Sequence, residues 1–542
     1  MRPIAWTAGR HARRQAARFL RALDDPRAVQ DRFLAELLEK LSTSDFARDH
    51  GLSKVRTYDE LRRALPVCDY ETYRSYIDRL LAGEKQALLG EQMDALMFSM
   101  TSGTTGRSKF IPVTRRFLSD VRRGWNIFGI RTLSDHPAGW LRKILQISSP
   151  MREADSPTGL PCGAISGLLA QTQKRIVRWM YVSPQFSAGS DATDRYYSLL
   201  RHSIDRDVGL ITTANPSSTI KLIQTGQDHT ERLIRDIRDG TCTTPGGSDP
   251  VAGGGRRFAP NPALAGRIEE GIARDGVLLP RHFWSIAFLT NWAGGTLQLY
   301  LPRLRELFDN APIRDIGLLA SEGRFTIPLA DNTPAGPAEI LGNFLEFIPA
   351  DQREKENPPT LRVHELQLGQ EYFLVFSNWT CLLRYNLDDR VRVVGFHGQT
   401  PVLEFLCRGL RTSSITGEKI TENQVVRAFA AATGDTQPGS ELFCLQGRFS
   451  DRPNYILTVE DRSEPEARAI ADKLDTQLAK LNIEYASKRS SGRLGPIEVE
   501  IAPAGFFAAQ ERRQIQRRRG RSEQYKHQYL ICQIRQQAGT RP

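Results

Sequence analysis

The chain has 542 residues, 40% of them hydrophobic and 8% aromatic, which is the composition of a globular protein too long for one compact core. Its formal net charge of +12 is concentrated in residues 1–21 and 512–521, which carry arginines and no acidic residue, so the rest of the chain has almost no net charge. A chain whose remaining residues have almost no net charge does not form a general polyanion-binding surface, so nucleic acid is not an expected partner.

The cysteines and the apolar runs indicate the compartment. The seven cysteines include no pair at C-x-x-C spacing, which predicts neither a zinc site nor a disulfide framework. No apolar run approaches the length of a membrane span, and the Arg-rich N-terminus lacks the apolar stretch of a signal peptide. We therefore expect a cytoplasmic protein with reduced thiols and no membrane span. A monomer is favoured, although the sequence leaves the oligomeric state open.

The larger, N-terminal part of the chain alternates predicted helices and strands. Apolar residues at helical spacing predict an amphipathic helix over 33–41, and a second helix is expected over 71–85. A Gly- and Pro-rich stretch at 239–265 predicts a long surface loop. Short apolar runs predict buried strands at 95–100, 143–149, 209–214 and 285–290. This alternation is typical of an α/β core.

The chain then turns to β-structure and ends in a smaller unit. RVRVVGF (390–396) alternates charged and apolar residues, and VLEFL follows it, which predicts two strands. Beyond residue 419 the pattern predicts a compact α+β unit of typical domain size. Its expected elements are strands at 441–446, 454–460 and 497–502 and a helix over 470–481. We therefore expect an α/β domain over 1–410, a smaller α+β domain over 411–542, and a hinge between Cys407 and Thr416.

One stretch has the composition of a phosphate-binding loop. TSGTTGRSK (101–109) is a run of small residues followed by two cations, and small residues let backbone N–H groups converge on an anion. The stretch matches neither the G-x-x-x-x-G-K-[ST] loop of nucleotide hydrolases nor the G-x-G-x-x-G dinucleotide fingerprint. On composition alone an ordinary surface turn is an equally good interpretation, so the assignment depends on motifs elsewhere in the chain.

Those motifs follow in a fixed order along the chain. They are LLASEG (318–323), RYNLDDRVRV (384–393), CRGL (407–410), TGEK (416–419) and SEQYKHQY (522–529). With the loop, they resemble the adenylate-forming superfamily of acyl-CoA synthetases, luciferase and peptide-synthetase adenylation domains. LPVCDYETYRSYIDRLLAGE (65–84) and LQLYLPRL (297–304) make the resemblance narrower. The chain is similar, over residues 55–530, to the Gretchen Hagen family of auxin-responsive acyl-acid amido synthetases.

The resemblance implies a luciferase-like adenylation domain, with β-sheets and flanking helices, and a small C-terminal domain that rotates between two half-reactions. In the implied reaction a carboxylic acid attacks the α-phosphate of ATP, pyrophosphate leaves, and the amine of an amino acid displaces AMP. The attacking carboxylate is already ionised, so the site needs cations and N–H donors rather than a strong general base. The expected cofactors are ATP and Mg²⁺, and the expected substrates are a small carboxylic acid and an amino acid.

The same resemblance implies roles for the residues that match the motifs. The phosphates would lie against Thr101, Ser102, Gly103, Thr104 and Thr105. In the second motif Ser321 would contact the nucleotide and Glu322 would hold Mg²⁺, for which a carboxylate oxygen is a suitable ligand. The alternative for Glu322 is a surface carboxylate without a role.

Five further positions are carried over in the same way. Asp389 would accept hydrogen bonds from the ribose hydroxyls, with Asp388 beside it as the competing carboxylate. Tyr300 would lie against the adenine, and Arg408 would reach ribose or phosphate. Lys419 would reach bound AMP, and Lys526 would reach the acyl carboxylate and the α-phosphate. For Lys526 a solvated position beside the basic run is the competing interpretation.

Two other functions stay open at this stage. An acyl-CoA synthetase shares the first half-reaction but uses a thiol acceptor, and a catalytically silent relative would bind polyanions through the basic termini. The acyl substrate is not readable from the sequence. Trp125, Phe128, Phe288 and Trp292 are candidate walls of its pocket, although aromatic side chains are more often part of the core.

Overall fold

The computed structural model divides into two compact units. The first contains Met1–Ala293 and Ala311–Phe405, and the second contains Gly294–Asn310 and Leu406–Pro542. The described residues are 2–102, 108–147, 151–172, 178–184, 186, 191–251, 256–409, 412–413, 415–416, 418, 420–434, 442–450, 452–490, 494–517 and 527–536.

The first unit begins with helices and continues as alternating helices and strands. Its helices span Arg2–Ala22, Pro26–Leu41, Asp45–Asp49, Tyr58–Ala64, Tyr70–Leu81, Arg115–Asp135, Ile165–Gln171, Ala192–Ser203, Pro216–Asp228, Thr230–Asp239 and Pro262–Asp275. Short 3-10 helices span Lys85–Ala87, Pro137–Gly139, Pro280–His282, Ala350–Gln352 and Val363–Glu365. Asp69 caps the helix Tyr70–Leu81, because its side chain accepts a hydrogen bond from the Thr72 amide.

The strands up to residue 408 form three sheets and a short hairpin. They are β1 (Ala95–Ser102), β2 (Ser108–Thr114), β3 (Lys143–Gln146), β4 (Ala154–Asp155), β5 (Pro161–Gly163), β6 (Val208–Thr212), β7 (Phe288–Asn291), β8 (Ile313–Asp315), β9 (Leu319–Ala320), β10 (Gly323–Arg324), β11 (Gly336–Pro337), β12 (Asn343–Pro349), β13 (Leu361–Arg362), β14 (Glu371–Asn378), β15 (Tyr385–His397) and β16 (Thr400–Arg408). One sheet has the order β2-β1-β5-β4, and a second, fully parallel sheet has the order β3-β6-β7-β8. The third has the order β11-β16-β15-β14-β12-β13, and β9 pairs with β10.

The second unit is a mixed sheet covered by helices. Its strands are β17 (Thr412–Ser413), β18 (Ile420–Thr421), β19 (Phe443–Phe449), β20 (Asn454–Glu460), β21 (Glu498–Ala502) and β22 (Leu530–Gln536). Its helices span Leu301–Leu307, Glu422–Thr433, Glu464–Leu481, Ile483–Ser490 and Phe506–Arg517, with a 3-10 turn over Gly295–Tyr300. The sheet has the order β21-β20-β19-β22, and Ile470, Leu474 and Leu478 belong to its buried core.

The predicted fold class is confirmed, and most elements lie where the sequence indicates. The predicted helix over 33–41 and the strand at 95–100 are present, whereas the helix predicted over 71–85 ends already at Leu81 and a 3-10 helix follows from Lys85. The loop expected over 239–265 is shorter at its end, because the next helix already begins at Pro262 with Asn261 as its cap. In the described part of the chain no helix combines the length and the apolarity that crossing a membrane requires. Cysteines 68, 162, 242, 381, 407 and 444 are free thiols.

Candidate nucleotide and acyl site

The phosphate-loop sequence joins two antiparallel strands. Thr101 and Ser102 end β1, and they lie opposite Lys109 and Ser108 of β2. The loop therefore closes a hairpin, and its Gly103, Thr104 and Thr105 lie outside the described residues. The Lys109 ammonium lies 5.3 Å from the ring centroid of Tyr70, a cation–π distance that fixes the start of β2.

The strand that follows the loop leads directly into a long helix. Thr114 ends β2 and caps the helix Arg115–Asp135, because its side chain accepts a hydrogen bond from the Phe117 amide. The same hydroxyl donates to the carbonyl of Trp379 at 2.7 Å. The helix is thereby fixed to the residue that follows β14, in the six-stranded sheet.

Ser321 and Glu322 form the turn of the β9–β10 hairpin. Glu322 is only 1% exposed, so the interpretation of this residue as a surface carboxylate is wrong. Its backbone carbonyl accepts a hydrogen bond of 2.8 Å from the side-chain amide of Asn378. Asn378 is the last residue of β14, so the turn is attached to the six-stranded sheet.

A buried polar network extends beneath this turn. The Asn378 amide also donates to Oδ1 of Asn343 at 2.9 Å, and its Oδ1 accepts from the amide of Thr380 at 3.0 Å and from its hydroxyl at 2.7 Å. Asn343 in turn donates to the Arg324 carbonyl at 2.7 Å. Every polar atom of the Asn378 side chain is therefore paired, which is what a buried amide requires to hold one orientation.

Asp389 and Asp388 have different surroundings in β15. Asp389 is 4% exposed, whereas Asp388 has a left-handed φ of 64° and donates its backbone N–H to Asn386. The Asp388 carboxylate accepts a hydrogen bond of 2.8 Å from Arg353. Asp388 thus has the geometry of a turn residue paired with a cation, while Asp389 is enclosed by the sheet.

Residues far apart in sequence fix the start of β15. The backbone of Cys68 pairs with this segment, since its N–H donates to the Arg384 carbonyl and its carbonyl accepts from Asn386, both at 2.8 Å. The Tyr73 hydroxyl donates to the carbonyl of Leu383 and accepts from its N–H. Two motifs that carry the family resemblance, at 65–84 and 384–393, therefore meet in space.

The other predicted residues belong to the second unit. Tyr300 ends the 3-10 turn and interacts with Tyr529; burial raises the pKa of its phenol, and Tyr529 partly offsets the rise. Lys526 lies outside the described residues, but the chain directly after it is anchored. The ring of His527 hydrogen bonds to the Phe443 carbonyl at 2.8 Å, and the Tyr529 amide donates to Glu422 at 2.9 Å.

Glu418 lies in the TGEK motif, but the motif did not indicate a role for it. Its side chain is fully buried and accepts hydrogen bonds from the amides of Ile415 and Thr416 and from the hydroxyl of Tyr455. Burial alone would raise the pKa of this carboxyl, but the hydrogen bonds outweigh burial and lower it. Glu418 thus holds the backbone of Ile415 and Thr416, shortly before Lys419, which lies outside the described residues.

The described residues contain no cluster of three or more His, Cys, Asp or Glu side chains able to hold a metal ion. Mg²⁺ at nucleotide sites is usually held by one or two carboxylates together with substrate phosphates and water. The buried carboxylate of Glu322 fits this type of site, and the hydroxyl of the neighbouring Ser321 is an oxygen ligand of the right kind.

Two solved ligase structures share the fold of this chain. The chain is similar to a structure titled GH3.15 acyl acid amido synthetase, with a TM-score of 0.79 and 21% identity over 94% of this chain and 92% of that one. It is also similar to a 2-hydroxyisobutyryl-CoA ligase in its postadenylation state, with a TM-score of 0.56 and 13% identity over 94% and 91% of the two chains. At these identities the likeness shows the fold alone.

The chain belongs to the GH3 family, which confirms the resemblance to the Gretchen Hagen enzymes. The GH3 family N-terminal, central and C-terminal domains match residues 15–313, 340–408 and 423–533. A jasmonoyl–L-amino acid synthetase GH3.5 from Oryza sativa subsp. japonica is 25% identical over 524 residues, 89% of this chain and 88% of that protein. An indole-3-acetic acid-amido synthetase GH3.10 from Arabidopsis thaliana is 24% identical over 528 residues, 88% of each. An amido synthetase forms a carbon–nitrogen bond between an acid and an amine.

Proposed function

We propose that this chain is an ATP-dependent acyl-acid amido synthetase. It adenylates a small carboxylic acid, releases pyrophosphate, and transfers the acyl group to the amine of an amino acid. The observation that carries the proposal is the match of all three GH3 domains along the chain, together with relatives named as amido synthetases that the chain matches over 88% of their length.

The first unit supplies the residues that hold ATP in this proposal. The loop 101–105 cradles the phosphates, Asp389 accepts hydrogen bonds from both ribose hydroxyls, and Ser321 contacts the nucleotide. Glu322 would hold Mg²⁺, which, when bound, draws negative charge from the phosphate oxygens. The burial of Glu322 and Asp389 supports these roles, because a carboxylate held in a low-dielectric setting binds donors and cations more strongly than one in water.

The second unit supplies residues that change between the two half-reactions. Lys526 approaches the acyl carboxylate and the α-phosphate during adenylation, whereas Tyr300, Arg408 and Lys419 contact adenine, ribose or phosphate, and AMP. The buried bonds of Glu418 and the anchoring of His527 support this, because they hold the residues shortly before Lys419 and directly after Lys526. The domain boundary near residue 410, a cytoplasmic location and a monomeric state stay predictions.

The chemistry needs few proton transfers. An ionised carboxylate oxygen attacks the α-phosphorus of ATP, and the bond from that phosphorus to the bridging oxygen of pyrophosphate breaks. In the second step a neutral amine attacks the acyl carbon, AMP leaves with the bonding electrons, and the amine loses one proton. Cations and N–H donors at the phosphates and the acyl oxygen lower both barriers by stabilising the charge that develops.

Pyrophosphate release across a panel of small aryl, indolyl and fatty acids tests the first half-reaction. We expect release that depends on acid, ATP and Mg²⁺, and that is lost in Asp389→Ala and in Glu322→Ala. Asp388→Asn is the matched control and is expected to retain release. Acid-independent release, or full activity in both alanine variants, would contradict the proposed site.

A second assay separates the possible acceptors. With an acid that supports adenylation, AMP formation is followed while amino acids or coenzyme A are added. Stimulation by an amino acid and formation of an amide are expected. Stimulation by coenzyme A alone would favour an acyl-CoA synthetase, and salt-sensitive retention on polyanions without any ATP turnover would favour the catalytically silent alternative.

A further inference from the structure

Arg324 carries a buried guanidinium, one edge of which has no hydrogen-bond partner among the described residues. The residue is 3% exposed, and its Nη1 donates to the carbonyl of Ile316 at 2.8 Å. Among the described residues, its Nε and Nη2 have no hydrogen-bond partner. Burial lowers the pKa of this group to about 9, although the charges of Glu339 and Asp315 favour its ionised form. A buried donor pair without an acceptor is costly, so this edge is suited to a ligand.

A second buried arginine has carboxylates on the same edge of its guanidinium. Arg314 is 1% exposed, and its Nε and Nη2 donate to carboxylates of Asp331 at 2.6 Å and Asp135 at 2.8 Å. The two N–H groups on this edge match the two oxygens of a carboxylate. In Arg324 the same edge has no such partner within the described residues.

A further unpaired polar side chain belongs to a strand that is linked to this arginine through the backbone of Ile316. Asn291 ends the parallel strand β7 and is 2% exposed, and neither Oδ1 nor Nδ2 has a partner within the described residues. Its carbonyl accepts from the amide of Ile316, the residue whose own carbonyl accepts from Arg324. Ligands of α/β sheets collect at the carboxyl ends of parallel strands, which is the position of Asn291.

The surroundings of Arg324 connect it with the elements that carry the proposed ATP residues. Arg324 lies two residues after Glu322, in the same hairpin. Its Cζ is 4.5 Å from the ring centroid of Trp125, on the helix that follows β2. A side chain at Gly124 would meet Arg324, because an added Cβ would lie 2.5 Å from its Cδ. Trp125 is only partly buried, so the ring that covers the guanidinium is within reach of solvent.

We propose that the Nε–Nη2 edge of Arg324 binds a second carboxylate at the far end of the acyl substrate. The preferred acid is then a dicarboxylic acid, and Arg324 determines that specificity. This inference rests on the proposed adenylation of an acid. The reacting carboxylate is a poor occupant, because a bidentate pair would engage both of its oxygens and one of them must attack the α-phosphorus.

Matched acids test the inference. Pyrophosphate release is measured with benzoate and with the three isomeric benzenedicarboxylates. It is also measured with linear monocarboxylic acids and with dicarboxylic acids of equal length. The wild type is expected to have a KM about 100-fold lower for the best dicarboxylic acid than for its monocarboxylic partner, as two charge-assisted hydrogen bonds would give. In Arg324→Met the preference for the dicarboxylic acid disappears. In Arg324→Lys most of it disappears, because lysine keeps the charge but lacks the two parallel N–H donors of the guanidinium.

Arg314→Met is the matched control. It also removes a buried guanidinium, but one whose edge is filled by Asp135 and Asp331, so it is expected to lower the melting temperature without changing the ratio of the two KM values. A wild-type KM that is equal for matched acids would overturn the inference. An equal loss of pyrophosphate release with the dicarboxylic and the monocarboxylic acid in Arg324→Met would also overturn it, because that result would put Arg324 on the reacting carboxylate.

Direct binding separates this inference from the proposed function. If no acid supports pyrophosphate release, the adenylation proposal fails, and the thermal shift of the full chain with each acid then decides about Arg324. Stabilisation of the wild type by a dicarboxylic acid, absent with the monocarboxylic partner and absent in Arg324→Met, supports the site. No stabilisation of the wild type by any dicarboxylic acid refutes it.

Discussion

Asp389 and its neighbour Asp388 allow a sharp test of the proposed ATP site. In Asp389→Asn one oxygen that would accept from a ribose hydroxyl becomes an N–H donor, and the other oxygen loses its charge. A hydrogen bond to a charged group contributes about 1.5–3 kcal/mol, and the buried position of Asp389 limits replacement of that bond by water. We therefore expect ATP binding to weaken by about 2–3 kcal/mol, or roughly 30–150-fold.

The neighbouring substitution is the control. Asp388→Asn keeps the shape of a residue whose φ is 64°, and Asn tolerates the left-handed region well. The Asp388 side chain is 38% exposed and its ion pair with Arg353 is partly solvated, so the change costs at most about 1 kcal/mol of stability. ATP affinity is expected to be that of the wild type.

Calorimetric titration with ATP and Mg²⁺, without acid or amine, measures the difference directly. Melting temperatures of both variants, recorded in the same buffer, show whether the first unit stays folded. Wild-type affinity in Asp389→Asn would refute the assignment of the ribose to Asp389. A larger loss in Asp388→Asn than in Asp389→Asn would assign the ribose to Asp388 instead.

Three further outcomes are expected. Glu322→Gln should keep ATP binding but need far more Mg²⁺ for pyrophosphate release, as a Mg²⁺ titration would show; an unchanged Mg²⁺ requirement would contradict the metal role. Thr412→Pro, within the predicted hinge, should lower turnover more than ATP affinity, and equal loss of both would argue against a hinge there. The lowered pKa of Glu418 stabilises the folded state above the ordinary pKa of 4.5, and this contribution is lost as pH falls below that value. Glu418→Gln should therefore unfold more easily at neutral pH and show a flatter dependence of stability on pH below 4.5, and parallel wild-type and variant curves would refute this reasoning.

The sequence predicted elements better than it predicted contacts. Helical spacing around Leu34 and Leu38 and the apolar run before the phosphate loop gave the right structure because local periodicity reflects burial. The roles of Asn378 and Arg324 had no comparable signal. Asn378 binds the carbonyl of Glu322, 56 residues away, and Arg324 lies over the ring of Trp125 on the helix that follows β2, and spacing along a chain does not reveal such pairs.

The motif order also left the partners of Glu418 hidden. Its neighbours Gly417 and Lys419 identify the motif. Tyr455, whose hydroxyl donates to one of the Glu418 carboxylate oxygens, lies further along the chain, on β20. A signal was nevertheless available, because a Glu directly before a predicted functional Lys is a candidate for fixing the backbone that carries it. Whether that Glu is buried depends on tertiary packing, which the sequence alone did not supply.

Buried ionic pairs in this chain fix backbone geometry next to the candidate site. Arg384 is bound to Glu346 at 2.8 Å and to the Leu65 carbonyl at 2.6 Å, and it has a left-handed φ of 49°. A buried ion pair adds little net stability compared with apolar side chains of similar size, so stability alone does not account for it. The unfavourable φ of Arg384 persists because its guanidinium is held on several sides. We infer that the pair keeps the bend before β15, and with it Asp389, in one position; Arg384→Met should then weaken ATP binding beyond the effect of its lower stability.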